Sequence, residues 1–357
     1  MRIALLSPFE EPVPPKMYGG TERIVYTLAE EWVAMGHDVT LYASGDSQTA
    51  AKLIPCTPRA VRVLPEARNP LTRQALNLHA LATALQDIRD TRYDIIHNHF
   101  GWQTLLFNAF LNWPMVTTLH GTLDKALMPT EHKMHNYFRE APFVSISNSQ
   151  RRHSPKLNYV ETVYHGIYPD EFEYNDKPDD YLAFLGRIHP QKGPVHAIRL
   201  AKKTGQKLII AAKVDPAEFH YFGKRIKPLI DGKQIVYIGE VGHEEKVKLL
   251  KNAKALLSPL QWDEPFGIVN VESMACGTPV ITARRGSMPE IIVEGKTGFL
   301  CRNSKEMEAA IGNIGQLDRR ACREHVENNF TARKMAENYI KAFTKVIKER
   351  KLKGNTV

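Results

Sequence analysis

Two carboxylates, Glu264 and Glu272, stand with seven residues between them in the stretch 258–277, SPLQWDEPFGIVNVESMACG. Pro265 disfavours helix at Glu264 and keeps that residue on a loop. From Gly267 the apolar residues Ile268, Val269, Val271, Met274 and Ala275 recur at helical spacing, and Gly277 supplies a stop. Glu272 therefore lies more than a turn inside a helix whose first amides open beside Glu264. Free N–H donors, two acceptors and a mobile loop suit a ligand with both phosphate and hydroxyls, such as a nucleotide sugar. A lone glutamate on a helix is usually solvated. The joint made by Pro265, Phe266 and Gly267 sets this pair apart.

Fixed cations come from a second stretch, Gly186-Arg187-Ile188-His189-Pro190-Gln191-Lys192-Gly193. Arg187 offers a planar fork and Lys192 a point charge, so the two can hold a diphosphate without a metal. Gly19-Gly20-Thr21-Glu22 opens the first helix, where paired glycines let a ligand approach and the helix start favours anions. It is not GxGxxG, and a plain turn fits it equally well. His120, in TLHGT, ends a strand and reads as a sugar contact or a structural histidine. His97 and His99 also end a strand, lack a third metal ligand, and read as cleft-lining or structural. Gly286-Ser287-Met288-Pro289-Glu290 opens another helix and is expected to support the Glu264 loop. No Asp-x-Asp stands in a useful place, so a metal-bridged diphosphate has no support.

Positioning these residues takes alternating strands and helices, and the chain supplies them. Short apolar runs predict strands over 2–7, 38–43, 93–97, 115–119 and 143–147. Helices between them carry Ile24, Val25, Leu28, Trp32 and Met35 on one face, and Leu78, Leu81, Leu85 and Ile88 on another. The polar, Pro-bearing stretch 168–180 reads as a linker. Beyond it, strands are expected over 181–185, 208–212, 234–238, 255–257 and 280–282, with helices over 194–203, 244–252 and 267–275. Residues 331–351 are helical by pattern and long enough to return across the first domain. The reading is two α/β domains, 1–167 and 168–330, with ligands in a cleft between the carboxyl ends of both sheets.

The totals agree. A chain of 357 residues is longer than one core usually serves. Its four cysteines, Cys56, Cys276, Cys301 and Cys322, are scattered, which fits a reducing cytoplasm and suggests neither disulfides nor zinc. No apolar run approaches the roughly 20 residues that span a bilayer, and MRIALLSPFEEP reads as a buried strand rather than a leader. A net charge of +9 favours anionic partners. No nucleic-acid module is present. The basic end, 341–353, reads as the solvated face of a helix, with attraction to an anionic inner membrane surface as the alternative.

Taken in order, these segments resemble the retaining glycosyltransferases of family 4. The resemblance runs from GGTERIVYTLAEEWVAMGHDVTLYAS through TLHGT, SISNSQ, VYHGI and FLGRIHPQKG to EPFGIVNVESMACGTPVI and EGKTGFL, nearly the whole chain. It implies a GT-B fold of two facing, doubly wound Rossmann-like domains. It also implies transfer of a sugar from a nucleoside-diphosphate sugar to a glycan, lipid or small-molecule hydroxyl, with no metal or other cofactor. A UDP-sugar is the favoured donor, with GDP- or ADP-sugars as alternatives. By the same resemblance Glu264 would hold donor-sugar hydroxyls beside the amides of Phe266, Gly267 and Ile268, with Val269 adjoining, and Glu272 would accept from the ribose. Arg187 and Lys192 would neutralise the diphosphate, Gly19 and Gly20 would let the first domain close on it, and His120 would contact the sugar. The base would rest near Gly239-Glu240-Val241, and the acceptor near Met17, Trp102, 124–128 (Asp124 to Met128) and His132. One departure is that Ala211-Ala212-Lys213-Val214-Asp215-Pro216 stands where many relatives have Gly-x-Gly. A nucleotide-sugar epimerase and a non-catalytic nucleotide-sugar-binding protein are the competing readings.

Overall fold

The computed structural model describes residues 1–17 and 19–354; Tyr18, in the MYGGTE segment, lies outside them. The chain forms two compact units. One runs from Met1 to Gly166 and takes in the segment from Ala332 on; the other is Ile167–Thr331.

The first unit is built on seven strands: β1 (Arg2–Leu6), β2 (Asp38–Ser44), β3 (Lys52–Thr57), β4 (Ile95–Asn98), β5 (Met115–Leu119), β6 (Phe143–Ser145) and β7 (Tyr159–Thr162). Every pairing is parallel, in the order β3-β2-β1-β4-β5-β6-β7. Central parallel strands are covered on both faces, which is why IIHN and MVTTL are buried at every position. The order reverses between β1 and β4, and ligands of such sheets bind at the carboxyl ends beside that reversal. The helix Ala332–Gly354 packs on the helix Gly20–Ala34. Trp32 Nε1 donates to the Ala336 carbonyl at 3.2 Å, and Lys345 Nζ to that of Val160 at 3.2 Å. Burial of Tyr339 and Phe343 anchors it, each apolar side chain adding roughly 1.5–3 kcal/mol.

The second unit has six parallel strands: β8 (Leu182–Arg187), β9 (Leu208–Lys213), β10 (Ile235–Gly239), β11 (Ala255–Ser258), β12 (Val280–Ala283) and β13 (Gly298–Cys301). Their order is β10-β9-β8-β11-β12-β13, so the reversal falls between β8 and β11. Phe184, Ile210, Leu257 and Ile281 lie in its core.

Four sequence expectations need correction. Strands β3, β7 and β13 were not expected, and all three are sheet edges. An edge strand tolerates Pro55 inside β3 because only one side of the backbone must pair. The strand expected over 143–147 stops at Ser145, because Ser147 caps a short helix, Asn148–Arg151, by accepting from the Gln150 amide. Leu78 is 40% exposed, and Ala80 and Ala84 join Leu81, Leu85 and Ile88 on the buried face instead. The stretch 168–180 is tied to its own unit: Phe172 is buried, and Arg323 donates to the carbonyls of Pro169 and Phe172. No described helix is long and apolar enough to cross a membrane.

Candidate active site

At the reversal of the second sheet, the segments leaving β8 and β11 touch. Gly193 has φ +74°, and a Cβ there would fall 2.1 Å from the Pro259 carbonyl oxygen, so only glycine permits the approach. Gln261 N donates to the Gln191 carbonyl at 2.8 Å. This contact sets Lys192 Nζ 2.5 Å from Glu264 Oε2, which also accepts from Trp262 Nε1 at 3.0 Å. Glu264 is buried, and burying a carboxylate without such partners is costly. The loop that carries it is held rather than loose, a correction to the mobile loop expected. Ser287 donates to the Glu264 carbonyl from both its amide, at 3.0 Å, and its hydroxyl, at 2.9 Å. The same hydroxyl lies 2.9 Å from the Phe266 carbonyl, so its one proton is shared between the two oxygens. Gly286, at φ +57°, leaves room for the Glu264 backbone, since a Cβ there would meet its amide nitrogen at 2.5 Å. The support expected from 286–290 is therefore present.

Gly267, in the left-handed region at φ +78°, starts the helix Ile268–Ala275 with no side chain capping it. Ile268 and Val269 are half-buried in the first turn, behind buried Phe266. Glu272 is buried one turn on and accepts from Lys246 Nζ at 2.5 Å. Lys246 stands on the helix His243–Asn252, entered from β10 through the loop that holds half-buried Val241. Its ammonium lies 5.3 Å from the Phe172 ring centroid. At the ends of β8 and β9, paired in register, Arg187 Nη1 is 3.7 Å and Lys213 Nζ 3.6 Å from the two oxygens of Asp215. Sequence reasoning missed Asp215, Trp262 and Lys246 as partners. Lys246 is one of three lysines on a helix that reads as solvated, and nothing in the spacing marks it.

The first unit offers a different array. His120 follows β5, and its Nε2 is 2.6 Å from His99 Nδ1. His99 Nε2 is 3.0 Å from His97 Nδ1, and His97 Nε2 is 2.8 Å from Thr118 Oγ1. His165, also missed, stacks on His120 with centroids 5.3 Å apart. Burial pushes His120 down to about 3 and holds His97, His99 and His165 well below the ordinary imidazole range. All four rings are neutral at neutral pH. A cavity of about 230 Å³ is lined by His99, Trp102, His120, Leu123, Met128 and Glu131. Trp102 and Met128 thus line it as part of the expected acceptor region, whereas His132 turns to the Leu123 carbonyl at 2.8 Å. Gly19 is dictated by Pro15, whose Cβ a side chain would meet at 2.5 Å; Gly20 faces open space. Beside them Glu22 is buried, which pushes its carboxyl up to about 7. Among the described residues, no three His, Cys, Asp or Glu side chains are grouped to hold a metal ion.

Two glycosyltransferase families match the chain. The family described as Glycosyltransferase Family 4 matches residues 18–171, and that described as Glycosyl transferases group 1 matches residues 170–342. Glycogen synthase of Mycobacterium tuberculosis is 25% identical, over 92% of this chain and 91% of that protein. Sucrose-phosphate synthase from Thermosynechococcus elongatus superposes with a TM-score of 0.79 at 18% identity, covering 98% of this chain and 100% of that one. Anabaena HepE in complex with UDP-glucose gives a TM-score of 0.74 at 18% identity, covering 97% and 100%. Two adjoining family matches and two parallel sheets wound in the same manner lead to one conclusion: the chain belongs to the family 4 glycosyltransferases and has the GT-B fold.

Proposed function

We propose that this enzyme transfers a sugar from a nucleoside-diphosphate sugar to a hydroxyl acceptor, with retention at the anomeric carbon and without a metal. The observation that carries the reading is the carboxyl edge of the second sheet. There Lys192 and Glu264, an uncapped helix start at Gly267, Glu272 and Arg187 supply cations, amides and acceptors along one edge. Those are the groups that a sugar, a diphosphate and a ribose each require. A UDP-sugar is the favoured donor, a choice supported by the UDP-glucose bound to HepE, a protein of the same fold.

In this reading Arg187 and Lys192 meet the diphosphate. Their attraction grows as negative charge collects on the leaving group, so they stabilise the transition state more than the bound substrate. The leaving phosphate then takes the acceptor's proton on the face it vacates. Glu264 holds sugar hydroxyls and is not the nucleophile, since one of its oxygens already bonds Lys192 and Trp262. Glu272 takes the ribose, the segment at Val241 the base, and the amides of Phe266, Gly267, Ile268 and Val269 lie near sugar and phosphate. His120, Gly19 and Gly20 are assigned to the donor sugar and diphosphate by resemblance. The acceptor is a carbohydrate, lipid or small-molecule hydroxyl.

The test is incubation with UDP-, GDP- and ADP-sugars in EDTA, following nucleoside diphosphate release and the anomeric configuration of the product. Release with an α-linked product from an α-donor is expected. Release that needs a divalent cation overturns metal independence, and a β-linked product overturns retention. A rearranged nucleotide sugar instead identifies an epimerase, and binding without release a non-catalytic protein.

A further inference from the structure

Three histidines of the first unit, His97, His99 and His120, form a hydrogen-bonded line that ends on the terminal helix. Thr118 Oγ1 donates to Tyr339 Oη at 3.1 Å, and Tyr339 belongs to the helix Ala332–Gly354. A hydroxyl has one proton, so with its own committed to Tyr339, Thr118 must accept from His97 Nε2. A neutral imidazole carries one N–H, which leaves His97 Nδ1 as an acceptor for His99 Nε2–H. His99 Nδ1 is then the acceptor for His120 Nε2–H. The remaining nitrogen, His120 Nδ1, has no protein partner among the described residues, and its ring lines the 230 Å³ cavity.

We propose that Tyr339, acting through Thr118, His97 and His99, fixes His120 as the Nε2–H tautomer, so that Nδ1 faces a bound sugar as a hydrogen-bond acceptor and selects a hydroxyl that donates. An ionised phosphate or carboxylate oxygen can only accept and is refused at that spot. Glu131, also lining the cavity, discourages anions in the same way. The four residues behind His120 are positioning residues; only His120 touches the ligand. The ligand half of this inference rests on the proposed function, whereas the tautomer half does not.

The tautomer is read from imidazole ¹⁵N shifts of the full chain, with His120 assigned by its loss in His120→Asn. The wild-type ring is expected to carry its proton on Nε2. In Tyr339→Phe the Thr118 hydroxyl loses its outward acceptor and turns to His97, so every proton in the line shifts and His120 becomes Nδ1–H. Thr118→Val, which cuts the line without touching the helix, is expected to give a mixed tautomer. A wild-type Nδ1–H ring overturns the proposal, as does a His120 tautomer unchanged in both variants, each checked for folding by its melting transition. Turnover of the best nucleotide sugar is then compared. A fall of about tenfold in Tyr339→Phe, the worth of one hydrogen bond in the transition state, supports the ligand half. Inverted tautomer with unchanged turnover overturns that half while the line stands. A wild type that turns over no nucleotide sugar overturns the proposed function and leaves the ¹⁵N result intact.

Discussion

The carboxyl edges of the two sheets solve different problems with different chemistry. In the second unit the edge is ionic: Arg187, Lys192, Lys213 and Lys246 face Asp215, Glu264 and Glu272 in close pairs. In the first it is neutral, a line of imidazoles and hydroxyls in which burial has removed the charge. Paired ions are strong but carry no fixed direction, and an arriving anion can exchange partners with them. A neutral hydrogen-bonded line is weaker per contact, yet each proton position dictates the next. Under the proposed function, charge is kept where the ligand is charged, and direction where the ligand must be oriented.

That contrast breaks most readily at Arg187. Arg187→Ala is expected to lower kcat/KM by about 10²–10³, the range for losing one preorganised electrostatic group. Turnover within a few-fold of wild type in steady-state assays would remove the residue from the mechanism.

Glu272→Gln separates stability from binding on the same edge. It leaves the Lys246 ammonium facing a neutral amide in a mostly buried place, at a cost of about 3 kcal/mol in urea unfolding. Replacing Lys246 by Met as well is expected to restore stability but not the nucleotide KM. If the double variant regains both, Glu272 does nothing beyond pairing Lys246.

The neutral edge is to be tested with acid. His97, His99, His120 and His165 have folded pKa values below the unfolded 6.5, so the unfolded chain binds more protons as pH falls. Their contribution is complete above about 6.5 and is lost below it, continuing towards the value near 3 for His120, by up to about 1.4 kcal/mol per pH unit for each ring. Glu22 has the opposite sign: raised from 4.5 to about 7, it favours the folded state as pH falls through that interval. The four rings, with His135 beside them lowered to about 4 by burial, oppose one carboxyl, so stability from urea unfolding should fall between pH 6.5 and 5. A flat profile contradicts the neutral assignment.

The smallest effect is expected at Leu78. Leu78→Ala should change stability by under about 0.5 kcal/mol, whereas Leu81→Ala, fully buried on the same helix, should cost about 2–5 kcal/mol. Equal losses would put Leu78 back on the core face.

Legibility followed the same physical lines. Central strands are covered on both faces and leave an unbroken apolar signature, so Met115–Leu119 is read to the residue and the others with small shifts at their ends. The three strands that went unread are edges, where the apolar signature fades; Pro55 interrupts one and Gly298 opens another. At the site, glycines, prolines and strand ends placed Glu264, Glu272, Arg187 and Lys192 on the correct elements, because backbone constraints are local. Their partners were not legible. Lys246 reaches Glu272 from 26 positions away, and Tyr339 reaches Thr118 from 221, distances at which no local pattern survives.

Gly286 and Ser287 carry one more consequence. With Gly193 against Pro259 on one side and Gly286 against Glu264 on the other, the carboxylate loop is wedged between two neighbouring turns. It behaves as a fixed jaw. Under the proposed function a donor meets the ends of flexible side chains, above all the Lys192 ammonium, whose three N–H groups let it hold Glu264 and a phosphate oxygen together. On that reading donor preference can be retuned at side chains without rebuilding the loop.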